Sequence, residues 1–300
     1  MSLEKTVEDI ADDTLKKAAK EAWENKSHLF KLLGRAWDFF RGRPKDGKPP
    51  ASPEPGEPPR PILILGPGGT GKSTLARVLT GDVNVLIDPP GYYEPTMDVE
   101  SRPLLGEPGI ELVDVPGQTY RQWEFGKFTA DLVRGAYRGV ILVADYGYHA
   151  IESEWKKDHR LYEKGKSKAF VTKLVAEQRQ EETALLDKLL PSLKAVNGKL
   201  WVLVVVLKQD LWVSEQSEVV RHYQEGEWGS RMNEVRKALD GKPFYLHTVY
   251  ACLHIQNYTT RGGRETLKKN TAGYDAVRQR ESLAELLQAF DALRKWEEKP

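Results

Sequence analysis

One stretch of the sequence combines residue types and spacing that suit the binding of phosphate. Residues 66–73 read GPGGTGKS, an uninterrupted match to the pattern GxxxxGK[ST]. Glycines are needed here because backbone N–H groups must point inward around a phosphate, in conformations that a Cβ would obstruct. Lys72 can bring a cation to the terminal phosphates of a nucleotide, and the Ser73 hydroxyl can be an oxygen ligand of Mg²⁺. The stretch therefore predicts a phosphate and magnesium site.

The flanks of this loop agree with that prediction. The apolar run PILIL precedes it, and the helical segment TLARVLTG follows, so that a helix N-terminus faces the bound anion. The plainer alternative is a glycine-rich turn without a ligand. The predicted nucleotide-binding residues of the loop are Gly66, Gly68, Gly69, Thr70, Gly71, Lys72, Ser73 and Thr74.

Three later segments carry polar residues in a recognisable order. Residues 93–96 read YEPT, residues 114–118 read DVPGQ after an apolar run, and residues 207–210 read LKQD after another. Together with the glycine-rich loop, these segments resemble the motifs of Ras-like and Arf-like small GTPases. The resemblance covers most of residues 61–300.

The resemblance implies a role for each matched residue near the phosphates. Thr96 would ligate magnesium and donate its N–H to the γ-phosphate, and Asp114 would hold the metal through a water molecule. Gly117 would sense the γ-phosphate through its N–H, and Gln118 would orient the attacking water. Lys72 completes an implied catalytic set with Gln118 and Thr96. The plainer alternatives are a proline turn with an incidental threonine, and a strand-end aspartate before a turn.

Recognition of the base is implied for residues near the end of the chain's later strands. The Asp210 carboxylate can accept two hydrogen bonds from guanine, and the stem of Lys208 can cover the base plane. Leu207 departs from the family pattern, which has Asn or Thr there, so it lacks the side chain that braces the phosphate loop. Ala251, after the apolar run PFYLHTV, is the position expected to offer an N–H to the guanine oxygen.

After residue 60, apolar runs rich in β-branched residues alternate with stretches of helical periodicity. This rhythm predicts an α/β fold with a mostly parallel sheet and helices on both faces. The resemblance makes it a P-loop NTPase G domain at residues 61–300, with a charged insertion at about 151–172 and a closing amphipathic helix. An N-terminal helical segment at 1–43 and a proline-rich linker at 44–60 precede it.

Composition excludes several classes of protein. The 300 residues include 45 basic and 44 acidic side chains, and the net charge of +1 gives no field for nucleic acid, which is not expected as a partner. One cysteine, Cys252, excludes a disulfide framework within the chain and fits a reducing compartment. An acidic N-terminus and the lack of an apolar run of about 18 residues argue against a signal peptide and a membrane span. The cytoplasm is the expected location, with peripheral membrane contact as an alternative.

That alternative depends on residues 28–43. Leu29, Phe30, Leu33 and Trp37 recur at helical spacing there, with basic residues between and after them. Such a face can meet anionic lipid headgroups. It can equally pack on protein, including a second copy of this chain.

The sequence thus favours a GTP-binding molecular switch. It would bind GTP and GDP with Mg²⁺, hydrolyse GTP slowly to GDP and phosphate, and meet a protein effector through its switch loops. Two alternatives stay open: a nucleotide-binding scaffold with little turnover, in which Leu207 marks a degraded base site, and an ATP-dependent P-loop enzyme. The identity of the bound nucleotide would separate the three.

Overall fold

The computed structural model describes residues 60–86, 98–104, 109–117, 122–149, 159–162, 167–255, 257–259 and 266–298. The strands within these residues are β1 (Ile62–Leu65), β2 (Glu100–Pro103), β3 (Glu111–Asp114), β4 (Gly139–Ala144), β5 (Leu200–Val206), β6 (Phe244–Tyr250), β7 (Tyr258–Thr259) and β8 (Thr266–Lys268). The α-helices are α1 (Lys72–Leu79), α2 (Gln122–Val133), α3 (Ser167–Lys194), α4 (Gln209–Trp212), α5 (Gln216–Gln224), α6 (Glu227–Ala238) and α7 (Ala276–Glu297). Short 3-10 turns lie at Val83–Leu86 and Val213–Glu215.

Six of the described strands form one sheet in the order β2-β3-β1-β4-β5-β6. All neighbours in this sheet run parallel except β2 and β3, which pair antiparallel at one edge. The central strands β4 and β5 are apolar and buried along their whole length, as expected for parallel strands covered on both faces. Strands β7 and β8 form a separate two-stranded sheet between β6 and α7.

Helices cover both faces of the six-stranded sheet. On β5, Val202, Val204 and Val206 share a core with residues of α2, α3, α5 and α6. The alternate side chains of the same strand, including Leu203 and Val205, share a core with residues of α1 and α7. The predicted α/β class, with a mostly parallel sheet and helices on both faces, is confirmed.

The closing helix α7 is fixed at both ends. The side chain of Asp275 accepts hydrogen bonds from the N–H groups of Val277 and Arg278, both at 3.0 Å, and so caps the helix N-terminus. Near the other end, Glu297 pairs with Arg138 and accepts a 2.7 Å hydrogen bond from the indole N–H of Trp201. These contacts hold α7 against the edge of the sheet where the strands begin.

Several predictions fall outside the described residues. The helical segment at 1–43 lies wholly outside, as do all but the last residue of the linker at 44–60. Of the charged insertion at 151–172, the structure describes 159–162 and 167–172, and α3 begins at Ser167. Among the residues that are described, no helix is long and apolar enough to cross a membrane.

Candidate functional site

The glycine-rich loop joins β1 to α1 and closes on itself. Gly69 and Gly71 have φ angles of 81° and 97°, in the left-handed region that glycine adopts without a steric penalty. The Thr70 hydroxyl donates to the carbonyl of Pro67 at 3.0 Å, and the Lys72 ammonium reaches the same carbonyl at 2.9 Å. The lysine therefore lies across the loop at the N-terminus of α1, where the helix dipole also favours an anion.

Burial sets the acid-base properties of Lys72. Loss of hydration lowers the pKa of this ammonium to about 8, although the nearby carboxylates of Asp114 and Asp145 act in the opposite direction. Lys72 has only 6% of its surface exposed. A phosphate group in the loop would give this poorly hydrated cation a direct counter-charge.

Two glycines bring separate segments into close approach at the loop. A Cβ added at Gly66 would lie 2.2 Å from the carbonyl oxygen of Val143 on β4. One added at Gly117 would lie 2.5 Å from the amide nitrogen of Gly68 and 2.6 Å from Nζ of Lys72. The glycine of the DVPGQ segment is thus in direct contact with the loop that is expected to hold the phosphates.

Ser73 and Asp114 form a pair of oxygen donors beside the loop. The Ser73 hydroxyl donates to Oδ2 of Asp114 at 2.8 Å, and within the described residues Oδ1 of Asp114 is buried without a hydrogen-bond partner. Burial raises the pKa of the Asp114 carboxyl, while Lys72 lowers it. A hydroxyl and an incompletely satisfied carboxylate are the hard oxygen ligands that Mg²⁺ prefers, so these residues fit the ion. Thr96, the other predicted ligand, lies outside the described residues, as does Gln118.

Lys208 connects the LKQD segment to the glycine-rich loop. Its backbone is left-handed, with φ of 58°, and its ammonium donates to the carbonyl of Gly69 at 2.9 Å. The same ammonium lies 2.9 Å from Oδ2 of Asp145 and donates to the carbonyl of Tyr148. The sequence predicts that the Lys208 stem covers a base plane, which no contact within the described residues tests. In the structure its charged end contacts the glycine-rich loop.

Leu207 braces the same loop by packing rather than by hydrogen bonding. Its side chain is 1% exposed, and its Cδ1 lies 3.0 Å from the position of a Cβ at Gly71. The sequence predicts that this position lacks a brace for the loop, because leucine has no polar side chain. In the structure an apolar contact to Gly71 and the bond from Lys208 to Gly69 support the loop instead.

Asp210 lies in α4 and is almost completely buried, with 1% of its surface exposed. The Cys252 thiol donates to its Oδ1 at 3.3 Å, and its backbone carbonyl accepts a 2.6 Å bond from the N–H of Thr271. Close by, the Tyr274 hydroxyl donates to Oε1 of Gln209 at 2.9 Å. The segment between β8 and α7 therefore lies against the predicted base site.

The N–H of Ala251, which is predicted to contact a guanine oxygen, already donates a hydrogen bond within the protein. Its N–H donates to the carbonyl of Val206 at 2.9 Å and so extends the pairing of β5 with β6. The next N–H, that of Cys252, donates to the Ser282 hydroxyl at 3.1 Å. A contact between Ala251 and a guanine oxygen would require exchange of the bond to Val206.

Sequence reasoning missed Asp145, which pairs with Lys208 and lies close to Lys72. A signal was present, because this aspartate directly follows the apolar run GVILVA, and parallel strands place their carboxyl ends at one edge of the sheet. The sequence alone does not show the strand order, in which β4, the strand before Asp145, lies beside β1, the strand before the glycine-rich loop.

The sheet, the glycine-rich loop and the helix that follows it make this a P-loop α/β fold. No protein-family model matches the chain, and no curated protein matches it. Among solved structures it is similar to the mammalian SRP receptor, with 16% identity and a TM-score of 0.37, over 65% of this chain and 92% of that one.

Two further solved structures are similar to it. One is the ADP-ribosylation-factor-like GTP-binding protein, small COPII coat GTPase SAR1, of Encephalitozoon cuniculi in complex with GDP, with 14% identity and a TM-score of 0.39 over 93% of this chain and 96% of that one. The other is the GTPase-like domain of S. cerevisiae Ski7 bound to GDP and phosphate, with 16% identity and a TM-score of 0.34 over 78% of this chain and 50% of that one.

Proposed function

We propose that this protein is a guanine-nucleotide switch, which binds GTP and GDP with Mg²⁺ and hydrolyses GTP slowly. One observation supports this most: residues from two distant segments meet at the glycine-rich loop. Gly117 of DVPGQ approaches Gly68, and Lys208 of LKQD donates to Gly69. These contacts support a site in which all three segments would meet the same nucleotide.

In this proposal, separate residues of the chain bind the phosphates, the magnesium ion and the attacking water. The loop N–H groups and Lys72 hold the terminal phosphates, and the N–H of Gly117 reads the γ-phosphate. Ser73 and Asp114, with Thr96, would hold Mg²⁺, which when bound neutralises charge between the β- and γ-phosphates. Gln118 would orient the attacking water, and an effector would bind the segments that respond to the γ-phosphate.

The first experiment identifies the nucleotide. The purified chain is titrated with fluorescent GDP, and GTP or ATP is added as a competitor. GTP should compete better than ATP, because the Asp210 carboxylate can accept hydrogen bonds from the guanine donors, whereas adenine presents an acceptor at N1. Asp210→Asn should weaken GDP binding and favour xanthosine diphosphate, whose second carbonyl can accept from the new amide. The matched control is Asp240→Asn, since Asp240 is exposed just before β6, at the opposite edge of the sheet. Equal competition by ATP would contradict the assignment of the base site.

The second experiment measures turnover. Single-turnover hydrolysis of GTP should be on the order of 10⁻⁴ to 10⁻² s⁻¹, the range of switch GTPases without a partner. Gln118→Leu should slow it further and leave GTP bound. Lys72→Ala should abolish nucleotide binding while circular dichroism stays unchanged. Retained affinity in that variant would show that the loop does not hold phosphate.

A nucleotide-binding scaffold with little turnover is the second candidate. It is favoured by the burial of Asp210 against Cys252 and by the bond that occupies the N–H of Ala251. Guanine binding with no measurable hydrolysis in the parent protein would select this candidate over the switch.

Peripheral contact through residues 28–43 remains a proposal. Sedimentation with anionic vesicles compares the full chain with one that begins at Pro49. Loss of binding in the shorter chain supports a membrane role, and equal partitioning favours docking on protein or self-association.

A further inference from the structure

A buried polar cluster contacts the ammonium of Lys208 through Asp145. Asp145, His149 and Glu182 are 0%, 2% and 3% exposed. Nδ1 of His149 lies 2.9 Å from Oδ1 of Asp145 and 3.7 Å from Oε1 of Glu182. The other carboxylate oxygen of Asp145 faces the Lys208 ammonium at 2.9 Å. The cluster therefore connects the middle of α3 to the lysine that holds the phosphate loop.

Glu182 fixes the backbone of the turn that carries this cluster. Its Oε1 accepts from the N–H groups of Asp145 and Gly147, both at 3.0 Å. Its Oε2 accepts from the Tyr223 hydroxyl at 2.6 Å, and that hydroxyl accepts from the N–H of Tyr146 at 3.0 Å. Tyr146 and Gly147 have φ angles of 59° and 83°, and in this left-handed turn the N–H groups of Asp145 and Gly147 both point at the carboxylate of Glu182.

Charge balance in the cluster depends on Glu182, because burial and the charge of Asp145 raise the pKa of its carboxyl to about 7. Above that pH, Asp145 and Glu182 are both ionised, the buried group holds two negative charges, and Lys208 supplies one positive charge. A protonated His149 supplies the second, and its donors meet carboxylates on both sides, because Nε2 lies 3.5 Å from Oε2 of Glu181 on α3. An uncompensated charge in such a setting is costly, so balance favours the imidazolium.

A metal ion would suit this cluster less well than a proton. Ligand atoms of Asp145, His149 and Glu182 do lie within 4.8 Å of one another. However, the ammonium of Lys208 already contacts Asp145, and two backbone N–H groups already occupy Oε1 of Glu182. A divalent ion would add repulsion from Lys208 and would have to replace these hydrogen bonds.

We propose that His149 and Glu182 are positioning residues for the nucleotide site: they hold the Asp145 carboxylate in place, and through it they hold Lys208 against the carbonyl of Gly69. This inference rests on the proposed nucleotide binding. Glu182 sets the backbone of the turn, and His149 orients the carboxylate. The result is that packing of α3 on the sheet determines where the lysine of the LKQD segment points.

The test is a double-mutant cycle on GDP affinity in the full chain. His149→Leu removes the donor to Asp145 and should weaken GDP binding about 10- to 100-fold, the range for a charge-assisted hydrogen bond. His149→Asn keeps an N–H near the position of Nδ1 and should recover part of that loss. In the Lys208→Met background both substitutions should change affinity less than about twofold, because the lysine that they position is gone.

Glu181→Gln is the matched control. Its side chain is 62% exposed and meets the other ring nitrogen of His149, so affinity should stay within about twofold of the parent. Urea unfolding of each variant separates an effect on affinity from an effect on the fold. A purely structural role would lower the urea midpoint without rescue by Asn, and would cost the same in both Lys208 backgrounds.

The outcomes are distinguishable. If the parent binds GDP but the effects are additive with Lys208→Met, the positioning role is wrong and the proposed function stands. If the parent binds no guanine nucleotide, both fall together. If the His149 variants do not fold, ¹⁵N NMR of the parent decides: a proton on Nδ1 of His149 at pH 7.5 supports the proposal, and an Nδ1 that carries no proton overturns it.

Discussion

Protonation of His149 should make the stability of this protein depend on pH in a defined direction. Burial would lower the pKa of this imidazole, but the charge and hydrogen bond of Asp145 raise it from 6.5 to about 9. Because the folded pKa lies above the unfolded one, the stabilisation is fully present below pH 6.5 and is lost as pH rises through about 9. A shift of roughly 2.5 units corresponds to about 3 kcal/mol.

Urea unfolding of nucleotide-free protein between pH 7 and 9.5 measures this loss. His149→Asn cannot gain the proton, so the difference in unfolding free energy between parent and variant should shrink by roughly 2 kcal/mol across that range, because part of the effect is already lost at pH 7. Burial and the charge of Asp145 also raise the pKa of Glu182, to about 7, so lower pH values would mix two titrations. A parent-minus-variant difference that stays constant from pH 7 to 9.5 would refute the assignment of a buried imidazolium.

Three further substitutions test the described contacts. Gly117→Ala should weaken GDP binding and lower the unfolding free energy by roughly 1 to 3 kcal/mol, because the new Cβ would overlap the glycine-rich loop. The control is Gly126→Ala in α2, where a Cβ meets nothing within 4 Å, so this substitution should be neutral or slightly stabilising. Glu297→Ala removes the ion pair and indole hydrogen bond that hold α7, and should lower the unfolding free energy by about 2 kcal/mol in urea. Asp275→Ala removes the N-cap of the same helix and should cost about 1 kcal/mol by the same measurement, with nucleotide affinity unchanged.

Local patterns were enough to predict the parts of the fold that depend on neighbouring residues. The glycine-rich loop, the apolar strands and the closing helix each have a signature within a few tens of residues, and the structure contains β1, α1 and α7 where those signatures lie. Leu207 shows the limit of such patterns. The mismatch with the family motif was visible, but the contact with Gly71 that supports the loop depends on the packing of β5 beside it.

The cluster that contacts Lys208 was beyond sequence reasoning for a related reason. Glu182 lies 37 residues after Asp145 and belongs to a helix whose other glutamates, including Glu181, face solvent. A charged residue in a helical pattern is normally assigned to the exposed face. Only the packing of α3 against the turn after β4 makes this carboxylate buried and fully hydrogen-bonded.

The central strand β5 also has a consequence for the chain before it folds. Its sequence LWVLVVV is strongly β-forming, uncharged and free of proline, which is the composition of segments that drive aggregation when exposed. In the native state both of its neighbours and both covering layers of helices protect it. Lys199 stands before the strand and Lys208 follows shortly after it, in the places where charged gatekeeper residues discourage intermolecular pairing. Lys208 would therefore act twice, first by keeping the nascent strand from other chains and later by holding the loop in the folded protein.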